Sequence, residues 1–153
     1  MPKIDITKVK KRVGSGYPAP FDVPCAARER LVLGDAAGLS DFGVNLLTLP
    51  PGGWSSQRHW HDKEDEFVFV VSGEVVLVTD KGESVLKAGD CAGFKKGRRD
   101  GHHLINKSRK PAQVLEVGTR SRGDTTVYSD IDMKYLPGKG YVRRDGTRYR
   151  KRG

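Results

Sequence analysis

The chain has 153 residues, 28 Lys and Arg against 19 Asp and Glu, a formal net charge of +9 and two cysteines. That length supports one domain, which buries about 70% of its unfolded surface and needs no disulfide staples. Cys25 and Cys91 stand in no C-x-x-C pattern, which excludes a thiolate metal centre and a disulfide framework; both read as small, at least partly buried residues in a reducing compartment.

No apolar run approaches about 18 residues, and the N-terminal MPKIDITKVKKRV lacks the apolar core of a secretory signal, so a soluble, cytoplasmic protein without membrane contact is expected. The basicity belongs to the ends. Residues 1–12 carry five bases against Asp5, and residues 134–153 carry eight against Asp145. The tail YVRRDGTRYRKRG interleaves Tyr141 and Tyr149 with arginines, as a phosphate-contacting, base-stacking segment would. No reader module precedes it, so a solvated or partner-packed terminus is expected and nucleic acid is not.

In chain order, residues 1–39 form an arm. Pro18, Pro20 and Pro24 keep GSGYPAPFDVPCAA extended and irregular, and a short strand succeeds it around Leu31 to Leu33. Such an arm is expected to lie along a sheet edge, its own or a partner's. FGVNLLTL, from Phe42, reads as a strand that must end at Pro50-Pro51.

The stretch GGWSSQRHWHDKEDEFVFVVSG then places His59 and His61 two apart and Glu66 five further on. In a strand, residues i and i+2 share a face, so both imidazoles aim at one point, and a carboxylate entering the next strand closes on it from the side. Two imidazoles and a carboxylate suit a divalent first-row ion such as iron, manganese, nickel or zinc. A further donor lies in GHHLIN, residues 101–106. Asp62, Glu64 and Asp65 read as a solvated turn.

Glu66 fixes the register of the strand it opens: Val68 and Val70 share its inward face, and Phe67, Phe69 and Val71 face outward. Both faces are apolar, which predicts a covering layer, either the chain's own termini or a second copy in a homodimer. EVVLVTD, SVLKAGD, CAGFKKG, HHLIN and VLEVGTR continue the alternation with turns between them, the pattern of an antiparallel sandwich or barrel that VLEVGTR would close. Residues 121–153 are polar and aperiodic, an irregular tail with at most a helical turn or short strand.

Gly53, His59, His61, Glu66 and Gly73 keep every spacing of the first motif of the cupin superfamily, which this chain resembles. Gly89, Gly97, His102 and Asn106 resemble the second motif, with Lys95 in place of its proline and Arg98 to Gly101 filling a gap usually two residues wide. The resemblance implies an all-β double-stranded β-helix, a jelly-roll barrel over residues 40–120 that binds one divalent metal ion through His59, His61, Glu66 and His102. His102 is preferred to His103 for its spacing to Asn106, which leaves His103 and Asn106 as outward, turn or supporting groups. Arg58, Lys95, Lys96, Arg98 and Arg99 flank these positions and would favour an anionic, oxygen-rich small substrate if they line the mouth rather than face water. Isomerase-like or dioxygenase-like chemistry is expected, with a non-catalytic metal-dependent binding protein as the alternative.

Overall fold

The computed structural model describes residues 3–150. The arm supplies β1 (Lys11–Val13) and β2 (Glu29–Leu31), which pair antiparallel and dock on β3 (Phe42–Leu49). The edge that receives the arm is therefore the chain's own. Between β1 and β2 the proline-rich stretch winds through turns, including a 3-10 turn at Val23–Cys25. After β2 one helical turn, α1 (Leu33–Ala36), lies flat on β3. A Cβ at Gly34 would meet the Val44 nitrogen at 2.8 Å, so this approach requires glycine.

The central strands are β4 (His59–His61), β5 (Glu66–Ser72), β6 (Glu74–Thr79), β7 (Gly82–Lys87), β8 (Cys91–Phe94), β9 (His103–Ile105) and β10 (Ala112–Thr119). One sheet runs in the order β1-β2-β3-β10-β5-β8 and a second in the order β7-β6-β9. The core lies between them: Leu47 and Leu49 from β3, Val68 and Val70 from β5 and Val114 from β10 meet Val75 from β6 and Leu104 from β9. Period-two alternation accounts for this. Val68 and Val70 are buried as the register predicts, while Phe67, Phe69 and Val71 stay exposed at 42%, 39% and 47%. Among the described residues, the chain's own termini do not cover that outer face.

The nearly all-β jelly roll is the fold the sequence implies, with two differences. β10 does not close a barrel but sits inside the six-stranded sheet between β3 and β5, and the sheets remain separate. The C-terminal stretch, expected to be irregular with at most one short strand, supplies three: β11 (Thr126–Tyr128), β12 (Lys134–Leu136) and β13 (Gly140–Val142). They form a third sheet, β13-β12-β11-β4. At three residues each, these strands are too short to display a period; their pairing with distant β4 defines them. Cys25 is buried, but Cys91 is exposed at the start of the edge strand β8, not partly buried as expected. No helix among the described residues is long and apolar enough to cross a membrane.

Asn106 ties the layers together. Fully buried, it donates through Nδ2 to the carbonyls of Leu49 and Lys110, both at 2.8 Å, and accepts through Oδ1 from the backbone N–H and hydroxyl of Ser108. It is a clasp between strand end and turn. Asn106→Ala would remove the side-chain donor from the buried Leu49 carbonyl, whereas the Lys110 carbonyl keeps the Ser108 hydroxyl, and is expected to lower stability by about 1–2 kcal/mol, read by chemical denaturation.

Candidate metal centre

Pairing of β4 sets the site. His59 and His102 form an antiparallel bridge, with the His59 N–H donating to the His102 carbonyl at 3.1 Å and the return bond at 2.9 Å. On its other edge, β4 pairs with β11, which sets Tyr128 opposite His59 and Thr126 opposite His61. Glu66 opens β5 opposite Phe94 of β8, and the Phe94 ring stacks on His102 at 3.5 Å between centroids, 2° from parallel. Gly97 N–H donates to the His61 carbonyl at 2.8 Å, so the loop to His102 is pinned at both ends, with Arg98 and Arg99 exposed between them. Gly101 is packed so closely that a Cβ there would meet Ser129 Cβ at 3.0 Å.

Three imidazole Nε2 atoms converge on one carboxylate oxygen. Glu66 Oε2 lies 2.7 Å from His102 Nε2, 3.5 Å from His59 Nε2 and 3.6 Å from His61 Nε2. The other ring nitrogens explain the aim. His59 Nδ1 donates to the Gln57 carbonyl at 2.8 Å, with Ser56 Oγ at 3.3 Å, and His61 Nδ1 donates to Asp124 Oδ2 at 2.7 Å. Such bonds fix the rings of His59 and His61 and leave Nε2 to point inward, while His102 Nδ1 is buried without a partner among the described residues and its ring is held by the stacked Phe94. Asp124 is itself held by the Lys63 N–H at 2.7 Å, and Glu64 Oε2 stands 3.7 Å from His61 Nδ1.

Burial raises the carboxyl of Glu66, but hydrogen bonds from His102, His59 and His61 outweigh it and hold the pKa well below the ordinary carboxylate range. Burial likewise opposes charge on His61, yet Glu66 and then Asp124 raise its pKa to about 9. Desolvation lowers His102 and raises Glu64. The cluster thus draws positive charge into a buried position. His59, His61 and Glu66 bring donor atoms within 4.8 Å of one another, so they could hold a metal ion, and His102 joins them through Glu66. Three imidazole nitrogens and one carboxylate oxygen, oriented from behind, fit a divalent ion of the nitrogen- and oxygen-loving kind.

The remaining expected site residues are dispersed. His103 faces away from Glu66; it donates to the Ser56 carbonyl at 2.9 Å and packs edge-on against Trp54. Arg58 does not reach the cavity. Its guanidinium is bound to Asp130, Asp80 and the Gly101 carbonyl, because it precedes His59 by one residue and points to the opposite face. Arg99 lies over the Trp60 ring at 5.8 Å. Lys95 and Arg98 line a smaller cavity of about 270 Å³ that touches His61, Glu66 and His102 from one side.

The larger cavity, about 640 Å³, opens on the other side and is lined by residues the sequence reading passed over, Arg28 and Arg30 from the arm, Tyr17, Tyr128 and Glu116, and by Tyr141, which was read as part of a solvated or partner-packed tail. Arg30 makes a two-pronged ion pair with Glu116 at 2.6 and 2.8 Å. Nothing local in the sequence marks that pair, which is separated by 86 positions.

A double-sheeted β roll that turns three imidazoles and one carboxylate onto a shared point is the arrangement of the cupin class. The chain belongs to the cupin superfamily: the family model for the cupin domain matches residues 45–118. A crystal structure named as a cupin-superfamily sugar phosphate isomerase from Silicibacter pomeroyi shares 45% identity, with 97% of each chain covered and a TM-score of 0.91. A protein from Acidithiobacillus ferrooxidans, provisionally named a sugar phosphate isomerase, shares 28% identity over 83% of each chain, with a TM-score of 0.73. The polyketide cyclase RemF from Streptomyces resistomycificus, at 18% identity over 78% of this chain and 79% of its own, with a TM-score of 0.62, shares the fold. A search of curated proteins found no match.

Asp124→Ala frees the His61 ring without touching Nε2. It is expected to weaken divalent-ion binding by about 10–100-fold, measured by competition with a chromogenic chelator, while the circular dichroism spectrum stays unchanged.

Proposed function

We propose that this chain is a metal-dependent isomerase that interconverts the hydroxy-aldehyde and hydroxy-ketone forms of a sugar phosphate. The observation that carries the reading is the convergence of three Nε2 atoms on Glu66 Oε2 at the end of a large cavity. The likeness to the Silicibacter pomeroyi protein supports isomerisation over dioxygenation. His59, His61, Glu66 and His102 would hold one divalent ion, manganese, iron, zinc or nickel, which when bound supplies polarisation of a carbonyl and its neighbouring hydroxyl.

The chain's own residues do the rest. Asp124 and the Gln57 carbonyl orient the imidazoles, and Phe94 stacks over one face of His102. Isomerisation needs a base to carry a proton between adjacent carbons. Among the described carboxylates of the large cavity, Asp35 is paired with Arg12 and Arg120, Glu116 with Arg30, and Asp124 with His61. With Glu66 committed to the histidine cluster, Glu64 remains. It accepts from the Ser121 N–H through Oε1, its Oε2 makes no contact closer than the 3.7 Å to His61 Nδ1, it lies at the edge of both cavities, and its pKa is raised by burial, which suits a carboxylate that must take up and return a proton.

The exposed Phe67, Phe69 and Val71 support a homodimer in which a second copy covers the outer face of β5, and two unpaired cysteines fit the cytoplasm.

Elemental analysis of purified protein is expected to give one divalent ion per chain, lost in His59→Ala and Glu66→Ala, and NMR of added aldose and ketose phosphates is expected to show their interconversion. Glu64→Gln should lower that rate by about 100-fold or more with metal content unchanged. Oxygen uptake in place of interconversion would overturn isomerisation, and metal retained by both ligand variants would overturn the site. The double substitution Phe67→Asp and Phe69→Asp is expected to shift sedimentation from dimer to monomer.

A further inference from the structure

The arm end of the large cavity holds more guanidinium groups than carboxylates. Arg30 is matched by Glu116. Arg12 and Arg120 share the single carboxylate of Asp35. Arg28 has no carboxylate partner at all among the described residues, although only 8% of it is exposed. Its Nε donates to the Gly14 carbonyl at 2.9 Å and its Nη1 to the Ser55 carbonyl, which Arg30 Nη2 also contacts at 3.0 Å. These bonds fix the plane of the guanidinium and leave Nη2 without an acceptor among the described residues.

A buried cation with no counter-ion is costly unless something from outside neutralises it. Burial, then the like charge of Arg30, pulls the pKa of Arg28 down, as expected for such a group. Beneath it lies the Tyr17 ring, 5.7 Å from the guanidinium carbon, with Tyr128 edge-on to Tyr17 and His59 beside Tyr128 at 5.8 Å. The Tyr17 and Tyr128 phenols, protonated at neutral pH, are hydrogen-bond donors in the same cavity. The arm thus adds to the cavity, beyond the imidazoles and Glu66, one guanidinium that no carboxylate matches and a phenol ring beneath it.

We propose that Arg28 is the anchor for a phosphate group, the end of the ligand remote from the histidine cluster, with Tyr17 as the floor of that subsite. One unmatched guanidinium charge with the Tyr17 and Tyr128 hydroxyls in the same cavity offers more donors than the two oxygens of a carboxylate use, and matches a phosphate monoester instead. The orientation of the ligand rests on the isomerase reading; the anion site itself does not.

The test uses full-length protein stripped of metal by a chelator, so that phosphate can bind only to the chain. Calorimetric titration with inorganic phosphate is expected to saturate. Arg28→Gln should weaken binding by about tenfold or more, Arg28→Lys by less, and Arg109→Gln, at an exposed position, not at all. In the unsubstituted protein the Nε–H resonance of Arg28 should shift with the same midpoint, which keeps the proposal testable if Arg28→Gln does not fold. Phosphate binding unaffected by Arg28→Gln, a stationary Arg28 resonance, or an equal response to acetate would overturn the proposal. Loss of phosphate binding in Arg28→Gln with the metal content of the untreated protein kept separates this subsite from the metal centre. Phosphate bound through Arg28, with aldose and ketose phosphates left unconverted by the metal-loaded protein, would sink the isomerase reading alone.

Discussion

The meeting of three imidazole nitrogens at Glu66 Oε2 is the contact on which the rest depends. It imposes on three strands and one bridge residue a common orientation: β4 brings His59 and His61, β5 brings Glu66, the His59 bridge brings His102, and β8 brings the Phe94 ring that lies on it. An ionised carboxylate in a buried position is tolerable only with partners on several sides. Burial and hydrogen bonding therefore oppose each other here, and hydrogen bonding prevails.

Around that point the chain is arranged in two shells of different origin. The roll from β3 to β10 supplies the converging side chains and the apolar core beneath them. The two flanks supply the surroundings. From the arm come Tyr17, Arg28 and Arg30; from the C-terminal stretch come Asp124, Thr126, Tyr128 and Tyr141. The flanks are bound to the roll by strand pairing, β2 on β3 and β11 on β4, and by the Arg30–Glu116 ion pair between arm and sheet.

Legibility in the sequence divides along the same line. His59, His61 and Glu66 were legible because two-residue periodicity in a strand is a local property, and the register of β5 came with it, down to Phe67 and Phe69 on the outer face. His102 was legible over His103 through its spacing to Asn106, and neighbouring strand residues face opposite ways. The same rule read carefully would have removed Arg58 from the mouth, since it sits one position from His59. Arg28, Glu116 and Asp124 were not legible. Each matters through a partner far along the chain, and R-E-R between an alanine pair and a leucine looks like any solvated strand end. β11 to β13 escaped notice for a related reason, being too brief to show a pattern of their own.

The family model ends at residue 118, and away from the histidine cluster the charged and phenolic side chains that line the larger cavity come from outside residues 45–118, with Glu116 the exception. The converging side chains and most of the cavity wall are thus written in separate stretches of the chain, with Asp124 reaching across from one to the other. Exchange of the two flanking segments between related proteins would be a natural route by which the cavity wall is remodelled, with the strands that carry His59, His61 and Glu66 left untouched.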